Sequence, residues 1–230
     1  MVIAGLQKTT LVDYPGKVAA TVFTRGCSFA CPFCHNPELV ISTRFNPRVP
    51  PEDFWSFLSG RQGKLEGVCI TGGEPMLHPD IIDFMKKIKD MGYLVKLDTN
   101  GSFPDRLEQA IKERAMDYIA TDIKSPISRY REITRSLIPD LEERVTRSIG
   151  LIMSSSIPYE FRTTFFKPLL SVDDVPKMGE MIRGAEQYFI QNFVHSKHND
   201  EELEMSPFGD EEIERTRVIM SQFVKKVGAR

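Results

Sequence analysis

Short apolar runs alternate with longer amphipathic segments along this 230-residue sequence. The apolar runs are rich in β-branched and aromatic residues, which is typical of strands covered on both faces. They occupy residues 18–24, 68–71, 93–98, 118–123, 159–166 and 188–194. The segments with helical periodicity or a helix-starting proline occupy residues 51–58, 79–91, 104–115, 140–153, 172–183 and 210–227. This order predicts an α/β fold of parallel strands joined by helices.

Repeated strand-helix units with right-handed crossovers form either an open doubly wound sheet or an α/β barrel, and periodicity does not separate the two. The length and the hydrophobic content of 41% suit one domain over residues 1–230, with its core at residues 18–194 and a last helix after it. In both architectures ligands bind at the carboxyl ends of the parallel strands. We therefore expect the functional site among the residues that end each strand.

Charge and hydropathy argue against two classes of partner. The 30 basic and 32 acidic residues are dispersed and give a net charge of −2, so no basic face indicates nucleic acid. No apolar run is long enough to indicate a membrane span, and the N-terminus lacks the apolar run of a signal peptide. We expect a cytoplasmic protein that binds neither nucleic acid nor a membrane.

Three cysteines, Cys27, Cys31 and Cys34, follow the first predicted strand within eight positions. In a reducing compartment such a cluster indicates a metal site or a catalytic site more often than a disulfide. A zinc site with His35 as fourth ligand would be cramped, because structural zinc sites usually separate two ligand pairs by a longer loop. An iron-sulfur cube fits better, and three thiolates would leave its fourth iron open. Cys69 lies inside a predicted strand, where we expect it to pack in the core.

Polar side chains end the other predicted strands, in the stretches "TGGEP", "DTNG" and "DIK" and on the last two strands. A shared sheet edge would bring them around one pocket. Those at the strand ends are Gly72, Gly73, Glu74, Asp98, Thr99, Asn100, Asp122 and Lys124, with Arg162 and Gln191 on the last two strands. Arg162 and Gln191 are ambiguous, because a buried Arg or Gln can equally belong to a structural hydrogen-bond network.

The stretch "CSFACPFC" resembles the cluster motif of the radical S-adenosylmethionine enzymes, and "TGGEP" resembles their glycine-glycine-glutamate motif. Together with "LVDYPGKVAATVFTRGC" and "CHNPEL", these stretches are similar to the glycyl-radical-enzyme activases, most closely to the activating proteins of anaerobic ribonucleoside-triphosphate reductase. The likeness is strongest over residues 5–101 and thinner after residue 164. It implies an α/β fold, an incomplete (β/α)6 TIM-like barrel of parallel strands.

The resemblance implies two cofactors and a set of ligand roles. Cys27, Cys31 and Cys34 would hold a [4Fe-4S] cluster whose open iron is chelated by S-adenosylmethionine. Phe33 would contact the adenine, and Asp98, Thr99 and Asn100 would contact the ribose hydroxyls or the amino group. Gly72 and Gly73 would let the methionyl group approach closely, Glu74 would contact its ammonium group and Lys124 its carboxylate. Asp98 and Asp122 would together hold a monovalent cation. His35 would brace the cysteine loop, whereas His195 and the acidic residues 199–212 receive no role.

The implied reaction starts with an electron from a flavodoxin- or ferredoxin-type donor. Reductive cleavage of S-adenosylmethionine gives methionine and a 5′-deoxyadenosyl radical, which takes hydrogen from a glycine of a glycyl radical enzyme. Anaerobic ribonucleoside-triphosphate reductase is the first candidate, and a pyruvate formate-lyase-like enzyme is an alternative partner. Two other functions stay open: chemistry on a small molecule such as a nucleobase precursor, and a non-catalytic zinc-binding module.

Overall fold

The computed structural model describes residues 1–45, 47–194 and 203–230. Its strands are β1 Ile3–Thr10, β2 Ala19–Thr24, β3 Gly67–Gly72, β4 Leu94–Thr99, β5 Tyr118–Asp122, β6 Tyr159–Lys167, β7 Tyr188–Asn192, β8 Ser206–Pro207 and β9 Val227–Ala229. Its α-helices are α1 Pro51–Ser59, α2 Ile81–Asp90, α3 Pro104–Lys112, α4 Tyr130–Thr134, α5 Leu141–Ser154, α6 Val175–Met181 and α7 Asp210–Met220. His195 and residues 199–202 lie outside the described residues.

The main sheet has the strand order β1-β2-β3-β4-β5-β6-β7-β9. Strands β2 to β7 are parallel neighbours in chain order, so the six predicted strands and the α/β fold are confirmed. The short β8 pairs separately with the end of β6 in the antiparallel sense. Within the described ranges the sheet does not close, and β1 and β9 are its two edges.

The sequence-based expectation is wrong at both edges of the sheet. Strand β1 is antiparallel to β2, and much of its second half is exposed, so it lacks the apolar signature of a covered strand. The predicted last helix ends at Met220, and its supposed final residue, Val227, begins β9 instead. No helix lies in the described residues 11–18 between β1 and β2, whereas β9 follows α7 and pairs with β7 in the parallel sense; β9 was missed because it is only three residues long. None of the helices in the described ranges combines the length and hydropathy that a membrane-spanning helix needs.

Each inner strand turns one face to the helices and the other to a polar interior. In β4, Val95 and Leu97 lie in the hydrophobic core with the buried residues of α2. The residues between them point the other way, because side chains alternate along a strand. Lys96 and Asp98 accordingly form an ion pair on the opposite face of the sheet. This polar face carries the functional site.

The turn after β3 packs against the backbone that leaves β2. The Gly73 amide donates to the Thr24 carbonyl at 2.9 Å, and the Glu74 amide donates to the Gly26 carbonyl at 2.8 Å. A Cβ atom on Gly73 would lie 1.9 Å from the Gly26 oxygen, so only glycine permits this approach. The turn thereby fixes the start of the loop that carries the cysteines.

Gly73→Ala is expected to displace the cysteine loop and to lower the thermal midpoint of the metal-free chain. The physical reason is the backbone clash, which no side-chain rotation relieves. Gly150→Ala is the matched control, because Gly150 is exposed on α5 and a Cβ there meets nothing within 4 Å. We expect this control to be neutral or to stabilise the helix by about 0.5–1 kcal/mol. Equal midpoints for the two variants would contradict the tight approach.

The β9 edge is fixed by Arg230. Its guanidinium donates to both oxygens of the Glu160 carboxylate at 3.0 Å each, and it lies 3.6 Å from the centroid of the Phe189 ring. The Glu160 side chain is fully buried in β6, and Tyr118 donates to the same carboxylate at 3.1 Å. A buried carboxylate needs such partners, because desolvation of its charge is costly.

Arg230→Gln should lower the free energy of unfolding by about 1–3 kcal/mol, since it removes a charged donor pair from buried Glu160. Arg183→Gln is the matched control, because Arg183 also packs over a phenylalanine, Phe223, and also pairs with a glutamate, Glu180. That glutamate is exposed, so a loss of about 0–1 kcal/mol is expected. Urea unfolding measures both, and a larger loss for the control would contradict this account.

Candidate functional site

A cavity of about 420 Å³ opens at the carboxyl ends of the parallel strands. Every predicted site residue except Glu74 lines it: Cys27, Cys31, Phe33, Cys34, Gly72, Gly73, Asp98, Thr99, Asn100, Asp122, Lys124, Arg162 and Gln191. His35 and Asn36 line it as well. The structure therefore brings together side chains that are up to 164 positions apart, from Cys27 to Gln191.

Backbone hydrogen bonds hold the cysteine loop at both ends and in the middle. The Gly26 amide donates to the Leu39 carbonyl at 2.7 Å, and the Cys34 amide donates to the Cys31 carbonyl at 3.1 Å. The Ala30 amide reaches the Thr134 carbonyl of α4 at 2.9 Å. The loop therefore lies against an ordered frame, with its three thiols on one wall of the cavity.

The three thiols are free and partly buried. Burial raises the pKa of Cys27 and of Cys31 to about 12, and it also raises the pKa of Cys34. Without a metal the thiols are therefore protonated at neutral pH. Metal coordination requires thiolates, so binding of a metal group at this wall must release protons.

The described ranges contain no group of three or more His, Cys, Asp and Glu side chains gathered closely enough to hold one metal ion. A zinc site needs four ligands at roughly 2.0–2.3 Å from a single point, so these thiols do not fit one zinc ion. An iron-sulfur cluster offers a separate iron to each thiolate and tolerates a wider spacing. The chemistry of this donor set fits the cluster.

Glu74 lies beneath the cavity and does not line it. Its carboxylate accepts hydrogen bonds from the Met76 amide at 2.9 Å, the Thr99 hydroxyl at 2.7 Å and the Asn100 amide at 2.6 Å. Burial raises the pKa of Glu74 to about 7, although these donors act in the opposite direction. In this structure Glu74 ties the turn after β3 to the end of β4, a role that the sequence did not indicate.

Asn100 also bonds within the protein. Its side-chain amide donates to the Ser28 hydroxyl at 3.0 Å and lies 3.6 Å from the Cys27 sulfur. Its side-chain oxygen accepts from the hydroxyl and the amide of Ser102 at 2.6 and 3.0 Å. The predicted ribose-contact residue thus braces the cysteine loop against β4.

A row of alternating charges crosses the floor of the cavity, from Lys96 through Asp98, Arg162 and Asp122 to Lys124. Arg162 donates from Nε to Asp122 at 2.9 Å and from Nη2 to Asp98 at 3.2 Å. Lys124 donates to the other Asp122 oxygen at 2.8 Å, and Lys96 pairs with the other Asp98 oxygen. Burial alone raises the pKa of both aspartates, but the neighbouring cations outweigh it and hold each pKa below its ordinary value.

Phe33 of the cysteine loop and Lys124 of the charge row lie next to each other in the cavity lining. The Phe33 ring packs on Phe166 with centroids 4.3 Å apart, and the Lys124 ammonium lies 5.5 Å from the Phe33 centroid. The backbone at Lys124 is fixed by Tyr130, whose hydroxyl accepts from the Lys124 amide at 3.2 Å and donates to the Asp122 carbonyl at 3.1 Å. An aromatic face and an ammonium group are thus held side by side.

Cys69 is fully buried in β3 and does not line the cavity. Its sulfur lies 3.8 Å from Asp98 and 3.7 Å from the Lys96 ammonium. Burial raises its pKa, so the thiol is a neutral donor to the carboxylate of Asp98. It is separate from the three-cysteine wall.

Two functional residues escaped the sequence interpretation. Lys96 is buried with 1% exposure and pairs with Asp98, and its position two residues before Asp98 places both on one strand face. This two-residue spacing could have predicted from the sequence that Lys96 lies on the same face as Asp98. Arg230 lines the cavity although it follows a predicted helix, and nothing local in "VGAR" indicates its contact with Glu160.

Comparison with known proteins points to one family. Residues 21–169, which include the three-cysteine motif and the glycine pair, match the family model described as the radical SAM superfamily. The chain is 28% identical over 229 residues to a Methanocaldococcus jannaschii protein provisionally named a glycyl-radical enzyme activating enzyme, covering 98% of this chain and 94% of that one. It is 28% identical over 141 residues to the pyruvate formate-lyase-activating enzyme of Clostridium pasteurianum, covering 53% of this chain and about half, 52%, of that one.

Solved structures share the fold. A domain of a pyruvate-formate lyase-activating enzyme from Bacteroides vulgatus superposes with a TM-score of 0.57 at 18% identity, covering 71% of this chain and 98% of that domain. Streptococcus suis SuiB bound to its precursor peptide SuiA superposes with a TM-score of 0.65 at 12% identity, covering 90% of this chain and 47% of SuiB. The chain belongs to the radical SAM superfamily, whose enzymes use a [4Fe-4S] cluster and S-adenosylmethionine.

Proposed function

We propose that this protein is an activase that removes a hydrogen atom from a glycine of a glycyl radical enzyme. The observation that carries the proposal is the similarity to the M. jannaschii protein, which runs through nearly the whole of both chains and not only through the shared cofactor motif. The similarity to pyruvate formate-lyase-activating enzymes points to the same reaction class. Anaerobic ribonucleoside-triphosphate reductase is the first candidate partner, by likeness of the cysteine and glycine motifs.

The thiols of Cys27, Cys31 and Cys34 would hold the cluster, and the open cavity beside them would receive S-adenosylmethionine. When bound, the cluster and S-adenosylmethionine supply a 5′-deoxyadenosyl radical after one electron from a flavodoxin- or ferredoxin-type donor. The chain's own task is to hold these groups and to shield them from water. Phe33 offers an aromatic face for the adenine, and Lys124 offers an ammonium group for the methionyl carboxylate.

Five exposed apolar side chains belong to segments that contact the cysteine loop or adjoin residues lining the cavity, and they support a protein substrate. We call Ile41, Phe45, Leu77, Leu137 and Val194 the mouth surface; their exposures range from 36% to 95%. Phe45 packs under Arg25, beside the cysteine loop, and Leu77 lies against Gly26 of that loop. Leu137 follows Ser136, whose hydroxyl donates to the Ser28 carbonyl at 2.9 Å. Exposed apolar residues that gather in one region are typical of protein-interaction sites.

The activase proposal predicts a glycyl radical on the partner and not on the chain itself. After anaerobic loading with iron and sulfide and chemical reduction, the chain should convert S-adenosylmethionine to methionine and 5′-deoxyadenosine. Added reductase should then acquire a glycyl radical signal in electron paramagnetic resonance, with 5′-deoxyadenosine formed in step with the radical. A reductase variant with alanine at its radical glycine is the control and should show no such signal.

Cleavage of S-adenosylmethionine without a radical on the reductase or on any pyruvate formate-lyase-like partner would overturn the activase assignment. Release of 5′-deoxyadenosine that depends on an added small molecule would point instead to a small-molecule substrate. A double substitution in the mouth surface, Leu77→Asp with Leu137→Asp, should reduce radical formation on the partner by about tenfold or more if two buried apolar contacts are lost. The same variant should cleave S-adenosylmethionine alone at the unchanged rate.

The ligand assignment predicts opposite results at two cysteines. Cys34→Ala should lose the [4Fe-4S] absorption and most of the iron and sulfide, because a thiolate ligand disappears. Cys69→Ala should load the cluster as the unsubstituted chain does, because the Cys69 thiol faces Asp98 away from the cavity wall. Iron and sulfide analysis measures both. Loss of the cluster in Cys69→Ala would make Cys69 a ligand and contradict the open iron.

A further inference from the structure

The charge row on the cavity floor leaves no gap between its two carboxylates. Asp98 on β4 and Asp122 on β5 both line the cavity, and the guanidinium of Arg162 from β6 lies between them. Its Nε donates to Asp122 at 2.9 Å and its Nη2 donates to Asp98 at 3.2 Å. Family resemblance implies that these two aspartates share a monovalent cation, but here an arginine takes the oxygens that would face it.

The other carboxylate oxygens are also occupied. Lys124 donates to the second oxygen of Asp122 at 2.8 Å, and Lys96 pairs with the second oxygen of Asp98. A hard metal cation is bound by oxygen ligands, and several are needed to replace its water shell. All four oxygens of this pair already face a cationic donor. The residues present therefore do not fit a bound metal cation.

Arg162 is itself fixed from below. Its Nη1 lies 3.8 Å from the buried carboxylate of Glu160, two residues earlier on the same strand face. Glu160 is in turn held by both terminal nitrogens of Arg230. A planar guanidinium with contacts on three sides has little freedom to swing away, and it stays charged at any ordinary pH.

Arg162 gives the charge row an excess of positive charge. Lys96, Arg162 and Lys124 oppose Asp98 and Asp122, so the row carries one excess positive charge; adding Glu160 and Arg230 leaves that excess unchanged. The side chain of Arg162 is only 14% exposed, so its charge is weakly screened by water. The excess is available to an anionic group that enters the cavity beside Lys124.

We propose that Arg162 is a built-in counter-cation that takes the place of a monovalent metal ion and lets the chain bind S-adenosylmethionine without one. Arg162 is then a positioning residue: it holds Asp98 and Asp122 in place and shares the charge of Asp122, so that Lys124 keeps a net positive charge for the methionyl carboxylate. The inference concerns the cofactor alone and holds whichever substrate the enzyme serves.

The test measures binding of S-adenosylmethionine to the cluster-loaded, unreduced chain by equilibrium dialysis. Three buffers of equal ionic strength contain potassium, sodium or tetramethylammonium chloride, the last being too large to enter between two carboxylates. We expect the dissociation constant of the unsubstituted chain to vary by less than about twofold among them, because binding needs no small cation. A tenfold or greater weakening in tetramethylammonium chloride would overturn the proposal without any variant.

In the Arg162→Ala variant, binding of S-adenosylmethionine should depend on a small cation, which it does not in the unsubstituted chain. Removal of the guanidinium leaves two carboxylates facing a vacated space, so binding in tetramethylammonium chloride should weaken by about tenfold or more. Potassium or sodium should restore at least part of that loss. Arg162→Lys keeps the charge without the planar fork, so it should bind more weakly than the unsubstituted chain but without a cation effect.

Arg147→Gln is the matched control. Arg147 also bridges two carboxylates, Asp105 and Glu108, but its ion pairs lie on the exposed surface. The control should bind S-adenosylmethionine like the unsubstituted chain in all three buffers. Thermal midpoints of all variants establish that they are folded, and Arg162→Lys serves if Arg162→Ala does not fold. The proposal is overturned if a folded Arg162→Ala or Arg162→Lys variant binds S-adenosylmethionine as tightly as the unsubstituted chain does. It is also overturned if Arg162→Ala binds S-adenosylmethionine more weakly and neither potassium nor sodium restores any of that loss.

Discussion

The ion row centred on Arg162 is the constraint on which the rest of the site depends. It joins side chains of β4, β5 and β6, and each of its charges is removed from most of its water. Burial of a charge is costly unless the pairing is complete, so the three strands must keep one register for the row to form. That register places Asp98, Asp122 and Arg162 at a common edge, where the glycine turn and the cysteine loop also end.

A sheet with a charged face needs its stabilisation from the other face. Val95 and Leu97 of β4 and Ile119 of β5 pack among the buried side chains of the helices, whereas the residues between them serve the cavity. The helices can cover only one face of each strand, so the polar face is left to bind cofactors. The sequence of β4, LVKLDT, shows this alternation, because Lys96 and Asp98 stand next to the apolar residues Val95 and Leu97.

The sequence predicts what is local and misses what is paired at a distance. The six parallel strands and the close spacing of the cysteines depend on residues near one another in the chain, and the polar strand ends follow from the topology rule. Edge strand β1 was missed because it is antiparallel to β2 and partly exposed, and β9 was missed because its three residues form no recognisable apolar run. The ammonium contact of Glu74 stays a prediction, whereas its hydrogen bonds to Thr99 and Asn100, 25 and 26 residues away, were not indicated by any local pattern.

A second connected path links the cysteine loop to the sheet independently of Arg162. The Glu74 amide donates to the Gly26 carbonyl, the Glu74 carboxylate accepts from the Asn100 amide, and the Asn100 side chain reaches Ser28 and the Cys27 sulfur. The path starts and ends on the cysteine loop, so a shift at any member moves the thiols. The cluster wall and the charged floor meet at the end of β4, where Asp98 belongs to the floor and Thr99 bonds to Glu74. They meet again where the Lys124 ammonium of the floor lies 5.5 Å from the Phe33 ring of the cysteine loop. The Glu74 path contains none of the charged residues of the row, so a change at Arg162 leaves the path's hydrogen bonds to the cysteine loop in place.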